Sequence, residues 1–532
     1  MASGAAAPEQ AEIIQRSWIK RWELSPEPAT FASSNKWSNS DMDVTPPDKR
    51  TWGMVTWVLY WVSDALNVAS YELASSMLAI GLSWRQALPA IAVGHIIIAM
   101  AITGKYTYSA NGAIGATLHV PFPVLNRSSF GFYFAYFSVI SRVVLAMFWF
   151  GIQTYTGSEC VYQMLKAIWP STARIPNHLP ESANITTTGL IPQRVRWLFM
   201  AKAVIVPPAF LAMMGWAFAT TGGGEIFSQR GDLSGSKLAW AWLAALNSTL
   251  GNFSTLAVNI PDFTRYSPTV KAQNVQLIVI PIAFTFCAFV GIACTSAGYV
   301  HYGAYYWDPL RLIDNWDNRA ASFFASFAFA LATICTNISA NSISAANDFT
   351  ALLPRWINIR RGQILCALIG GWVILPWEIL ATAIGFLQFM AGYTVFLGPI
   401  AGIMIADYYL VKRGAVDVPA LYRPKGRYRY QGGVNWRAVL ALVVSVPPNI
   451  PGLINAINPK INVHGGIYPY NIAWLLGFTV AAAVYSLTSK IWPAPGTVLL
   501  AAIYDDRKHS EESDSREGSV KEKGPNAAVT EV

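Results

Sequence analysis

Long apolar runs alternate with short polar clusters along this chain. The runs reach about twenty residues or more, the length an α-helix needs to cross a bilayer. They lack the roughly ten-residue alternation of barrel strands. Eleven full spans are predicted, near 52–80, 86–105, 132–167, 195–220, 238–260, 275–299, 320–345, 363–379, 383–411, 436–456 and 471–491. In lipid only helices and closed barrels satisfy their own backbone. The predicted fold class is therefore an all-α polytopic membrane protein.

The polar remainder divides the chain into three parts. Residues 1–50 form an N-terminal arm with Pro26, Pro28, Pro46 and Pro47. Residues 51–492 form the transmembrane domain, and 493–532 a charged tail expected to be disordered. The arm holds Trp18, Trp22 and Trp37, too many tryptophans for a free tail, so part of it is expected to lie on the protein. Lys49/Arg50, Arg194/Arg196, Arg355/Arg360/Arg361, Lys412/Arg413 and Arg423/Lys425/Arg427/Arg429 mark the cytosolic side by the positive-inside rule, which puts both termini in the cytosol. No cleaved signal is expected; the first span acts as its own.

Composition agrees with this. Of 532 residues, 53% are hydrophobic and 13% charged, against about 25% charged in soluble domains. The net charge of +9 comes from residues flanking the apolar runs and does not point to a nucleic-acid partner. Cys160, Cys287, Cys294, Cys335 and Cys366 lie in apolar stretches with neither disulfide nor metal spacing.

The charge pattern also exposes a conflict. Residues 170–187, with the sequon at Asn184, belong outside, whereas Arg194 and Arg196 belong inside. The stretch between is far too short to cross. The run 197–220 spans about 36 Å at the helical rise, and two crossings need about 60 Å. Twelve spans are asked for where eleven are found.

Polar groups inside a bilayer are costly and point to function. Trp149 and Gln153, four apart, share a helix face and offer a flat stacking surface beside an amide. They suit a planar heterocyclic amide; equally, they could pack and bond between helices. Thr336, Asn337, Ser339, Asn341 and Ser342 form a polar stripe in the 320–345 span, whose alternative reading is helix–helix hydrogen bonding. Ser63–Ser70 and Gly251–Ser254 look like interruptions of two spans, the mark of a midplane site in inverted-repeat transporters. Asp64 and Glu72 are proton-relay candidates. Glu378 and Asp407, near predicted span ends, read as interfacial. Phe386, Leu387 and Met390, between Gly385 and Gly392, form a candidate gate, against an ordinary packing role. No nucleotide loop, metal cluster or nucleophile motif is found, so an enzyme is not expected and no cofactor or metal is called for.

On NKWSNSDMDVTPPDKRTW, WVSDALNVASYELASSMLAIGLSW, FWFGIQTYTG, VNIPDFTRY, TNISANSISAANDF and FLQFMAGYTVFLGPIAGIMIADYYLVKR, the chain resembles the nucleobase–cation symporter family one, in its fungal Fur-type branch. The resemblance runs from Trp37 to about Trp492. It implies a LeuT-like fold of two inverted five-helix repeats plus two extra helices. It also implies that Trp149 stacks on the substrate and Gln153 pairs with its edge. Asn341 is a third contact, Phe253 (or Asn252) occupies the place of a second aromatic, and Asn67 is a weaker contact. The family's cation positions are Ser63, Leu66, Ala332, Cys335 and Thr336. Cys335 stands where a hydroxyl is usual, and a thiol is a poor ligand for a hard cation. A proton is thus favoured over sodium as coupling ion.

The implied function is proton-coupled uptake of uracil, allantoin, uric acid or a related heterocycle at the plasma membrane. The alternative is a non-transporting nutrient sensor or a defective permease; Lys521 and Lys523 in the tail suit a ubiquitin ligase. In the family a hydrophobic fourth helix precedes the stretch matched by Pro192–Phe199, and here it is missing. If that helix is truly deleted, retention in the endoplasmic reticulum is expected. Inserting an apolar helix of about 20 residues, one bilayer span, between Leu190 and Ile191 is predicted to restore surface delivery and uptake. Robust surface transport by the unmodified chain would refute this.

Overall fold

The computed structural model describes residues 22–32, 36–103, 111–174, 199–222, 227–372 and 375–504. Outside them lie Trp18, the sequon at Asn184, Arg194 and Arg196, the join near Ile191 on which the span count turns, and the tail lysines Lys521 and Lys523.

Helices dominate the described residues. They are α1 (Met54–Ala65), α2 (Val68–Ala79), α3 (Trp84–Thr103), α4 (Asn111–Leu118), α5 (Ala135–Ile168), α6 (Phe199–Thr221), α7 (Gly235–Asn259) and α8 (Gln276–Tyr302). There follow α9 (Arg319–Thr336), α10 (Ile343–Leu352), α11 (Ile359–Trp372), α12 (Ala383–Gly392), α13 (Thr394–Ile405), α14 (Trp436–Ser445), α15 (Ile450–Ile457) and α16 (Ala473–Ile491). Eight segments among them are long and apolar enough to cross a bilayer by length and composition.

The helices associate in groups. The first span, α3, α7 and α8 pack on one another; α5, α9, α10 and α11 form a second group; α13, α14 and α16 form a third. Helix α6 touches both α8 and α9 and so bridges the first two.

The first expected interruption is a true break. Leu66 (ψ 78°) and extended Asn67 separate α1 from α2. The second is not. Helix α7 runs unbroken through Gly251–Ser254. The helix stays intact there: Ser254 donates to the Gly251 carbonyl (3.1 Å), which also accepts from the Tyr393 hydroxyl (2.9 Å). Gly251 is there for contact, because a Cβ would meet the Met390 carbonyl oxygen at 2.1 Å. A different helix is loosened instead: Asn337–Ser342, between α9 and α10, is a π-helical stretch.

The arm lies across one end of the bundle. Asn39 donates to the carbonyls of Pro354 (3.1 Å) and Ile357 (2.9 Å). The Asp41 carboxylate accepts from Ile359 N (2.8 Å), capping α11 from another part of the chain. Arg127 donates to the Trp37 carbonyl, Arg265 to that of Asp41, and Tyr422 to that of Met42. The tail differs from expectation at its start: Ile503 exchanges backbone hydrogen bonds with Val416 and Val418, so residues up to 504 belong to the folded body.

Asp407 also departs from its expected interfacial place. It is buried and bonded to Lys412 (2.6 Å), the Tyr485 hydroxyl (2.7 Å), Ser128 and Ser129. The carboxylate sits near a helix end in sequence, but flanking segments fold over that end and supply donors. Glu378 is exposed.

Candidate functional site

A helix that stops at mid-depth leaves orphan amides and carbonyls. At the α1–α2 break Asn67 answers both ends. Its Oδ1 accepts from Ser70 N (2.9 Å), and its Nδ2 donates to the Asp64 carbonyl. The negative end of the α1 dipole and the positive end of α2 therefore meet at one point.

That point borders a tight cavity of about 40 Å3 between the first two helix groups. Trp149 and Gln153 reach it from α5, Asn252 and Phe253 from α7, Asn341 from the π-helical stretch, and Asn67 from the break. These are the six substrate-contact candidates, brought together from four parts of the chain. Gln153 Oε1 and Asn252 Nδ2 have no hydrogen-bond partner among the described residues. Asn341 donates to Asn337 Oδ1 (3.0 Å), which holds its amide in place. Phe253 is packed by Trp61 (5.6 Å) and Phe284 (4.4 Å).

Side chains pack against the cavity on two sides. Towards the arm, the buried Arg142 side chain pairs with Asp348 and donates to the Ser344 carbonyl. Asn259 donates to Ser344 Oγ (3.0 Å) and to Asp262 (3.2 Å), which accepts from Phe122 N (2.9 Å). Towards the opposite end, α12 lies over the site. Phe386, Leu387 and Met390 are buried, and Phe386 stacks on Trp307 (6.1 Å, 20°). The ring against Trp149 is that of Phe389 (5.6 Å, 64°), which lies within the candidate gate stretch between Leu387 and Met390.

Of the candidate cation positions, Leu66 and Ala332 lie in one buried apolar cluster, and Cys335 is buried. Ser63 is half-buried at the end of α1. Thr336 has a partner that sequence reasoning missed: Lys202 Nζ donates to its hydroxyl at 2.8 Å. Lys202 enters from α6 and is buried, as is Asp64, which lines the same cavity and whose carboxylate oxygens have no hydrogen-bond partner among the described residues. The available signal was a lone lysine in the apolar run FMAKAVIVPPAFLAMM; Arg142 in the third span is the same kind of signal.

A cavity between helix groups, beside a broken helix, is an arrangement that suits a membrane transporter. The chain belongs to the family of permeases for cytosine/purines, uracil, thiamine and allantoin, whose model matches residues 44–477. It is a transporter and not an enzyme. It is 35% identical over 506 residues to the uridine permease of Saccharomyces cerevisiae, covering 89% of this chain and 78% of the relative. It is 33% identical over 492 residues to the uracil permease of the same yeast, covering 86% and 76%. Among solved structures, the nucleobase-cation-symport-1 transporter Mhp1, closed with bromovinylhydantoin bound, matches at 22% identity with a TM-score of 0.66, covering 86% of this chain and 97% of Mhp1. The fold is thereby the expected one of LeuT-like inverted repeats.

Removing one member of a buried ion pair strands the other. Asp348→Ala is predicted to cost about 3–5 kcal/mol, read as early melting of detergent-solubilised protein. Asp314→Ala, which breaks the half-exposed pair with Lys166, should cost at most about 1 kcal/mol. Equal effects would mean that Arg142 needs no counter-charge.

Proposed function

We propose that this permease imports an uncharged, planar, amide-bearing heterocycle of the uracil–allantoin class, driven by a proton, by alternating access. One observation carries the substrate reading. The indole of Trp149 and the unpaired amide atoms of Gln153 and Asn252 face one cavity, with Asn341 held beside them. A stacking surface with donors and acceptors around it matches a flat ring carrying N–H and C=O edges. The names of the yeast relatives point to the same class.

Support for proton coupling comes from Lys202. Its ammonium occupies the Thr336 hydroxyl, one of the oxygens a sodium ion would need, and Cys335 beside it is a thiol. A fixed cation at that point does electrostatically what a bound sodium would do, and Asp64 is left to take and release the proton. In this reading the helix group of α5, α9, α10 and α11 rocks against that of the first span, α3, α7 and α8 about the cavity. The arm end faces the cytosol, the α12 end faces outside, and the protein works at the plasma membrane. Lys521 and Lys523 in the tail then offer cytosolic acceptors for a ubiquitin ligase.

Two measurements test the proposal in cells lacking their own permeases. Gln153→Ala should reach the surface yet lose about 1–3 kcal/mol of substrate affinity through an unpaired buried edge, or about 5- to 150-fold in a competition assay. Unchanged affinity removes Gln153 from the site. Uptake of labelled uracil should rise as the outside is acidified, collapse with a protonophore and ignore sodium, and Lys202→Met should uncouple it from pH. A strict sodium requirement without pH response would overturn the coupling assignment.

A further inference from the structure

A second cavity, of about 160 Å3, lies on the other flank of α12. It is bounded by α12, the first half of α7, α15 and the segment 467–471, and its lining carries no acidic or basic side chain. Ile384, Leu387 and Ile467 give it apolar walls. Gln388 and Asn471 add side-chain amides that make no hydrogen bond among the described residues.

The position of this cavity matters because of how α12 is held. The helix is ten residues long, capped by Thr382 and joined to α13 through the single residue Tyr393, where the regular helix is interrupted. Against α7 it has no room, because the Met390 carbonyl lies against Gly251; at the edge of the void Ser248 Oγ donates to the Leu387 carbonyl (3.0 Å). On its outer flank the Tyr470 hydroxyl donates to the Gln388 carbonyl (3.2 Å), and beyond that contact lies the void. If α12 is to uncover the central site, the void is where it can go, because packed interiors do not yield elsewhere.

We propose that this cavity is an inhibitory ligand site: a small uncharged molecule with an apolar body and an amide or imide edge, seated between α12 and α15, holds α12 down over the central cavity. The inference rests on the carrier reading above. Charged molecules find no counter-ion in the lining, whereas an imide edge finds the Gln388 and Asn471 amides. The void exceeds the central cavity in volume, about 160 Å3 against about 40 Å3, so it accepts an occupant without first being opened.

The test places such a molecule there after folding. Ala456 lines this cavity from α15 and is not among the residues lining the central cavity. In Ala456→Cys the thiol can add across the double bond of N-ethylmaleimide, a small neutral imide, to form a thioether. The native cysteines are all buried and serve as the control background. Alkylated Ala456→Cys should lose uracil uptake by about tenfold relative to the untreated variant, the effect of a modest shift towards the closed state. It should also melt at least about 2 °C later in detergent, because the closed fold gains packing. Uptake within about twofold of the untreated variant would overturn the proposal. So would failure of the thiol to react, or an unchanged or lower melting temperature. The melting arm does not depend on transport: absent uptake before alkylation would count against the carrier reading, and the melting shift would still decide the site.

Discussion

A transmembrane helix that ends halfway presents backbone groups to a medium that cannot hydrogen-bond them, at several kcal/mol for each one left unanswered. The centre of this protein depends on Asn67 answering two of them at once, one on each side of the break. Because the amide bridges α1 to α2, the chain can open its first span without exposing bare backbone. Asp64 and Asn67 then sit at the rim of the cavity instead of being sealed in a helix. An apolar residue at position 67 would leave the same geometry without its hydrogen bonds.

Charge inside the bundle follows two distinct patterns. The Asp407–Lys412 pair is fully dressed by Tyr485, Ser128 and Ser129 and fastens one end of the bundle. Arg142–Asp348 joins α5 to α10 across the floor of the cavity, so that floor can open only if the pair parts or moves as one. Lys202 and Asp64 are different: one has a single hydroxyl partner and the other none among the described residues. Buried charge that is saturated with partners stabilises a shape. Buried charge that is undersupplied is poised to change state.

Much of this was legible in the sequence because two periodicities are strong. Apolar length set the helices, and the four-residue spacing of Trp149 and Gln153 set a shared face that the structure aims at the cavity. What failed was inference about local breaks from residue type alone. Gly251–Ser254 reads as an interruption, yet its glycine is a contact surface for Met390 and its serine bonds back within the helix. The true loosening, at Asn337–Ser342, falls in a stretch noted only for its polarity. Asp407 and Lys202 were misplaced or missed for a related reason. Lys412 is five residues from Asp407, but the hydroxyls that complete its shell lie 78 to 279 positions away and Lys202's partner 134, and only the fold brings them together.

The arm along the end of the bundle bears on the order in which the molecule is made. Its binding surfaces are scattered over the loops at residues 119, 127, 265, 354–359 and 422, and the last contact spans 380 positions of chain. The ribosome delivers the arm first and its final landing point near the end. Residues 22–32 and 36–50 can therefore complete their docking only when the rest has assembled. A seated arm is a receipt for a finished chain, and an arm still loose marks one that is not.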